Sequence, residues 1–195
     1  MIKRVYLLHF TFVLALVIPN TTRAESFTTQ VQLGYSKYLN NGPGGFGIGT
    51  KVNYKILEDL DAELHLGHHQ GTDEDVLLGV KFETTTKTLP ITLGASYTFF
   101  RKPISPYTFM RLGMAVLNQD AFLNGESITS SSIFDSSSLK QNEVNLALEL
   151  GGGANYQLEN GLLIGITLGY SRIFTEPTSL EILALHGNLG YAFAW

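Results

Sequence analysis

The chain contains no cysteine. That excludes a disulfide framework and all thiol chemistry. Charged residues are scarce, at 15 % of the 195 positions, where soluble domains carry about 25 %. The net charge of −4 offers no basic surface for nucleic acid or for an anionic membrane face. Past the N-terminus, no apolar run approaches the roughly 20 residues that a membrane-spanning helix needs. The glycine clusters are not phosphate loops. "GPGG" at 42–45 reads as a turn, and "GGG" at 151–153 as small residues within a strand. A chain of this length can bury a core without covalent staples. So little charge implies that a large part of the surface faces something other than water.

The N-terminus has a pattern of its own. Lys3 and Arg4 precede the uncharged run "VYLLHFTFVLALVI", and "PNTTRAES" follows with small residues at Thr22 and Ala24. This is the arrangement of a secretory signal peptide cut after Ala24. Residues 1–24 are therefore expected to be the signal and residues 25–195 a single domain.

The rest of the chain alternates with a period of two, the signature of β-strands. In "LLIGITLGYS", Leu162, Ile164, Ile166, Leu168 and Tyr170 alternate with Leu163, Gly165, Thr167, Gly169 and Ser171. In "FGIGTKVNYKI", Phe46, Ile48, Val52, Tyr54 and Ile56 alternate with Gly47, Gly49, Lys51, Asn53 and Lys55. "ITLGASYTF", "TFMRLGMAV", "QVQLGYS" and "VNLALELGGGANY" behave alike. Each strand has one greasy face and one that mixes glycine with small polar groups and single charges. A soluble barrel would place bulky apolar groups inside and many charges outside. Here the non-greasy face suits the crowded interior of a narrow barrel, and the greasy face suits lipid. The expected fold is an all-β, transmembrane, antiparallel up-and-down barrel.

Short connections ("ILEDLD", "FRKPISP", "QLENG") alternate with longer polar ones, the usual asymmetry between periplasmic turns and external loops. Counting gives eight strands, at about 28–38, 46–57, 60–70, 84–100, 106–118, 143–157, 161–173 and 181–195. The alternating stretch Val76–Phe82 reads as a hairpin extension within the second external loop. A ten-stranded barrel that adds "SITSSSIF" is the alternative. Tyr54, Tyr97, Phe99, Tyr156, Tyr191, Phe193 and Trp195 fall near the short-turn ends, as in an interfacial aromatic girdle.

The lumen face carries a set of candidate residues. Arg111 and Glu149 lie on strands joined by the long loop and are expected to sit opposite one another. Lys51 and Lys55 lie near Glu63 across a short turn. His65 and His186 project into the same space. Charges in so narrow an interior must be paired, so a plugged barrel is expected, with these seven residues as a structural polar network. His68 and His69, beside Asp73, Glu74 and Asp75, read as a polar loop rim. No catalytic residue, cofactor or metal site is expected.

"LPITLGASYTFFRKPISPYTFMRLGMA" adds a resemblance. A proline-led strand ends in Tyr-x-Phe, and after a short turn "SPY" opens the next strand. This resembles the small outer-membrane β-barrel superfamily of OmpA-domain, OmpX/Ail and OmpW type. In that family an arginine more often stands where Ser105 is, and alternating glycines where Met110, Arg111 and Leu112 are. The terminal Tyr191, Phe193 and Trp195 resemble the C-terminal assembly signal of outer-membrane proteins, with Trp in place of the usual Phe. The resemblance implies a bacterial outer-membrane location with both termini periplasmic. It implies outer-membrane lipid, lipopolysaccharide and the barrel-assembly machinery as partners, with an extracellular ligand or host surface as a further one. Adhesion or host-factor binding is implied by the resemblance alone. The function expected is structural or surface interaction. A narrow channel for small apolar solutes is the alternative and a lipid-modifying enzyme the third. The His-x-Ser pair of the deacylase type is absent from the chain.

Overall fold

The computed structural model describes residues 26–39, 42–77, 80–100, 103–123, 126–127 and 143–194. The expected signal segment and Trp195 lie outside them. The elements are β1 (Ser26–Tyr38), β2 (Gly44–Lys55), β3 (Leu60–Leu77), β4 (Val80–Thr98), β5 (Ile104–Leu123), the two-residue β6 (Glu126–Ser127), β7 (Glu143–Gln157), β8 (Leu162–Phe174) and β9 (Leu180–Ala194).

Every barrel strand pairs antiparallel with its neighbours in sequence, and β5 pairs directly with β7. The first and last strands pair from Ser26↔Ala194 to Tyr38↔Ile182. That pairing closes the sheet and leaves no edge within the barrel. The result is the expected eight-stranded up-and-down barrel. The ten-stranded alternative has no place in it, because β5 and β7 are already hydrogen-bonded from Ile104↔Tyr156 to Leu117↔Glu143. Of "SITSSSIF", only Ser127 is described, and it pairs with Phe122.

The alternation sorts the two faces cleanly. Val31, Leu33, Phe46, Ile91, Leu112, Ile166 and Leu185 point outward and are exposed. Gln32, Lys51, Glu63, Thr92, Arg111, Glu149 and Thr167 point inward and are buried. This inversion of an ordinary globular core is stable only where the outer face meets hydrocarbon. Tyr54, Tyr97, Phe99, Tyr156, Tyr191 and Phe193 are exposed near the short-turn rim. The register ties them together, with Phe27 opposite both Tyr54 and Phe193.

Two local features shape the wall. Pro90 points inward and lacks an amide donor. The β3–β4 ladder is interrupted between Leu66↔Ile91 and His69↔Thr88, around this proline. Gly161, at φ 86° in the tight β7–β8 turn, holds a conformation that L side chains rarely adopt.

β3, β4 and β5 run longer than the sequence suggested. The β3–β4 hairpin pairs as far as Leu77↔Val80, and β5 continues beside it to Phe82↔Leu123. The three strands rise from the long-loop rim as a fin. The Val76–Phe82 stretch lies across the tip of that hairpin, as a loop extension and not a membrane strand.

Candidate functional site

Four side-chain clusters fill the lumen. At its middle lies an ionic belt. Arg111 stands opposite Glu149 in the β5–β7 register, and its Nε lies 2.9 Å from Glu149 Oε2. This is an ion contact and not a hydrogen bond, since Nε has no geometrically aligned acceptor. Arg111 Nη1 donates to Glu63 Oε1 at 2.7 Å, and the guanidinium lies 4.1 Å from the Phe109 ring centre. Lys51 Nζ approaches Glu63 Oε2 at 4.0 Å and lies 4.4 Å from the centre of the Tyr107 ring. Glu149 Oε2 also accepts from Thr92 Oγ1 at 2.7 Å and contacts His65 Nδ1 at 3.0 Å, while Oε1 accepts from Ser171 Oγ at 3.3 Å. Two cations thus face two carboxylates, and the hydroxyls and imidazole around Glu149 supply it with the hydrogen bonds that a buried charge requires, while Glu63 Oε2 is met by the Lys51 ion contact alone.

An amide–hydroxyl cluster adjoins the belt. Asn188 Nδ2 donates to Thr167 Oγ1 at 2.7 Å, and Gln32 Nε2 donates to Asn188 Oδ1 at 3.1 Å. Tyr107 hydroxyl is hydrogen-bonded to Thr167. Sequence reading missed these four residues. Their inward phase was legible, but a hydrogen bond between β1 and β9 depends on barrel closure, which no local pattern encodes.

The third cluster is a pair of imidazoles. His69 and His186 are buried, with ring centres 5.7 Å apart and planes 23° from parallel. This corrects the reading of His69 as part of a loop rim. β3 continues through it as a strand, so its odd-numbered phase carries it into the lumen with Glu63 and His65. Lys55, by contrast, stands opposite Asp61 at the turn end of β2, half-buried and apart from the belt.

The fourth cluster is an apolar cap at the long-loop end, formed by Tyr38, Ala115, Ala147, Ile173 and Ile182, with Leu180 packed against it. Tyr38 is fully buried. Its hydroxyl lies 3.1 Å from the carbonyl oxygen of His69 and 3.4 Å from those of Thr86 and from Thr88 Oγ1. Above Tyr38 opens a vestibule of about 1250 Å³. Its walls include Pro43, Thr86, Leu117, Glu143 and Glu176. On the fin, Lys81 lies 3.0 Å from Glu74, and Lys87 Nζ donates to Asp120 at 2.7 Å. Hydrogen bonding to Glu74 raises the Lys81 pKa. Among the described residues, no group of three or more His, Cys, Asp or Glu side chains is arranged to hold a metal ion.

At the chain terminus, Tyr191 and Phe193 point outward with ring centres 4.8 Å apart, and Phe193 lies 6.0 Å from Phe27. Trp195 is outside the described residues.

A closed barrel with an apolar exterior, a polar plugged lumen and an aromatic rim defines a protein of the bacterial outer membrane. The chain belongs to the outer membrane protein beta-barrel domain family, which matches residues 9–193. No curated protein matches it by sequence. Its structure is similar to that of Neisserial surface protein A, with a TM-score of 0.54 at 14 % identity over 87 % of this chain and 97 % of that one. It is also similar to Ail, the attachment invasion locus protein of Yersinia pestis (TM-score 0.50, 15 % identity, 88 % and 99 % covered). The outer membrane enzyme PagL has the same architecture (TM-score 0.51, 13 % identity, 83 % and 97 % covered). At such identities the likeness is one of fold, and the same fold carries surface proteins and an enzyme alike.

Proposed function

We propose that this barrel serves at the cell surface, as a structural or interaction protein whose contacts are made by the fin and the long-loop rim. The observation that carries this reading is the contrast between the barrel's middle and its end. The lumen is filled by paired charges and closed by Tyr38, which leaves little room for a diffusing solute. The fin, meanwhile, presents Thr72, Asp73, Glu74, Asp75 and Val76 as exposed residues beyond the last β2–β3 pair at Gly45↔Gly71. In this reading the fin is extracellular and both termini are periplasmic. Residues 1–24 act as the export signal, and the outward aromatics of β9, with Trp195, are recognised by the assembly machinery. Lipopolysaccharide and lipid surround the apolar outer face of the barrel, and the partner is an extracellular ligand or host surface.

The alternative of a channel draws on one feature, the apolar cap beneath the vestibule. Against it stand the occlusion by Tyr38 and the closed order of strands, in which each barrel strand pairs with both neighbours and the β3–β4 ladder resumes on either side of its short gap at Pro90. The enzyme reading draws only on the fold shared with PagL. The test compares cells that express the whole protein with cells expressing one whose hairpin tip, 73–82, is replaced by a short turn. Loss of binding to host cells or matrix with surface level unchanged supports the surface reading. Steady conductance of the whole protein in planar bilayers, with binding unaffected by the replacement, refutes it in favour of the channel.

A further inference from the structure

His69 and His186 share a feature that neither the ionic belt nor the surface reading uses. His69 Nδ1 and His186 Nε2 are buried and have no hydrogen-bond partner among the described residues. Both lie close to one spot, the space over the bare backbone of Gly47. A β-carbon built there would lie 2.7 Å from His186 Nε2 and 2.9 Å from His69 Nδ1. The two nitrogens are therefore no farther apart than the sum of those distances. The glycine is what leaves the space open, since any side chain at position 47 would enter it.

The geometry points to a two-imidazole site for a soft monovalent d10 cation, of the cuprous type, held between His69 Nδ1 and His186 Nε2. Three arguments select that class of ligand. First, two nitrogens lie over the same glycine, and no cluster of three or more ligating side chains is present among the described residues. Zinc needs four ligands, and its catalytic sites still supply three from protein. A soft d10 monocation is satisfied by two in line, with the nitrogens about 4 Å apart for metal–nitrogen bonds of about 2 Å.

Second, the surrounding charge is balanced. Lys51 and Arg111 face Glu63 and Glu149, and His65 is engaged by Glu149. An added ion therefore brings uncompensated charge into a confined interior. The cost of burying it grows with the square of the charge, so a monocation is far cheaper than a dication. Third, the site lies beneath the Tyr38 cap, away from the bulk water that a hard or divalent ion would keep in its shell. Imidazole nitrogen serves zinc, copper, iron and nickel alike, so ligand number and charge are what select the cuprous type among them.

The test uses Ag+ as a redox-inert probe, supplied as nitrate in chloride-free buffer to the refolded mature barrel in detergent. Silver binding is followed by calorimetry and by the ring resonances of the four histidines of the mature chain. The expected result is one equivalent of Ag+ that shifts the His69 and His186 rings and leaves the His68 ring in place. H69Q and H186Q should each weaken that equivalent by at least about tenfold, the loss usual even for a partner in the outer shell of a metal site. G47A keeps both imidazoles but fills the space between them, and it should weaken binding as much. Zn2+ should bind the same site at least about tenfold more weakly than Ag+. Should a variant fail to refold, the ring resonances of the unmodified protein still decide. His69 and His186 resonances that do not respond to Ag+, an equivalent that survives in both H69Q and H186Q, or Zn2+ binding there as tightly as Ag+ would overturn the assignment.

Discussion

Arg111 is the hinge of the ionic belt, and its replacement by methionine is the sharpest test of how the lumen is held. It contacts both carboxylates, Glu63 at 2.7 Å and Glu149 at 2.9 Å. All three side chains are almost wholly buried, at 5 % or less of their surface. Arg111→Met leaves Lys51, 4.0 Å from Glu63, as the one lysine or arginine described in the belt for two carboxylates. Breaking a buried pair in this way costs about 3–5 kcal/mol. Glu149→Gln is milder. Arg111 keeps Glu63, and the amide oxygen can still accept from one of Thr92 and Ser171 while the amide nitrogen donates to the other hydroxyl. Its cost should fall nearer 1–3 kcal/mol, the range for a disturbed buried hydrogen-bond partner. In the double variant the stranded Glu149 charge is gone, so the combined loss should be smaller than the sum by roughly 0.5–3 kcal/mol. The assay is urea unfolding of the refolded barrel in detergent, read by circular dichroism and by the shift between folded and unfolded gel mobility. Strictly additive losses would show that the two side chains do not meet and that the β5–β7 register is wrong.

Other consequences concern the wall, the cap and assembly. Gly151→Val should abolish refolding, because a β-carbon there would stand 2.3 Å from the Leu168 carbonyl oxygen and 2.6 Å from the Phe109 ring; a stable folded band on unboiled gels would contradict this. Tyr38→Ala should deepen the vestibule yet leave planar-bilayer conductance absent, since the ionic belt still fills the lumen beneath it; steady conductance of the variant would show that Tyr38 and not the belt is the occlusion. Excising residues 128–142 removes no described barrel pair and should leave surface level intact, whereas removing residues 190–195 cuts the β1–β9 closure and should prevent assembly. Equal surface levels for the two deletions would count against the closing role of β9. The mature protein should fractionate with the outer membrane and migrate differently before and after boiling; a freely soluble periplasmic form would sink the membrane reading.

The fold was legible because one rule acts on every residue. Alternation tells which way a side chain points, and glycine, serine and threonine on one phase tell which side is crowded. That rule placed Lys51, Glu63, His65, Arg111, Glu149 and His186 on the inner face. The Arg111–Glu149 pair was legible too, because β5 and β7 are adjacent and a counted register sets them opposite. What was hidden lay across the barrel or under a loop-like composition at the end of an expected strand. Arg111 reaches Glu63 from β5 to β3, and Gln32 reaches Asn188 from β1 to β9. Both contacts depend on the curvature of the closed sheet. His69 was misjudged because "GHHQGTDED" has the composition of a loop. The β3–β4 hairpin resumes its pairing at His69 and holds it through the acidic run, since cross-strand pairing with Thr84–Thr88 outweighs the weak strand preference of Asp and Glu.

The same inversion that makes the exterior greasy limits where function can reside. With the apolar residues spent on lipid contact, the interior must be held by polar groups that satisfy one another. Glu149 alone engages Arg111, His65, Thr92 and Ser171. Opening a pore through that arrangement would strand several of these groups at once, and the cost of each exceeds what a surface change costs. At the long-loop rim the constraint lapses. The fin residues Thr72–Val76 are exposed and lie beyond the barrel pairs that close the lumen, so substitutions there leave the polar network untouched. His69 and His186 stand between these regimes, buried with the network yet with a free nitrogen each. Other buried atoms also lack a hydrogen-bond partner, Glu63 Oε2 and Arg111 Nε among them, but those two stand in ion contacts; what sets His69 and His186 apart is that their two nitrogens lie together over the bare backbone of Gly47, and that placement is the physical reason to look for a ligand at that point.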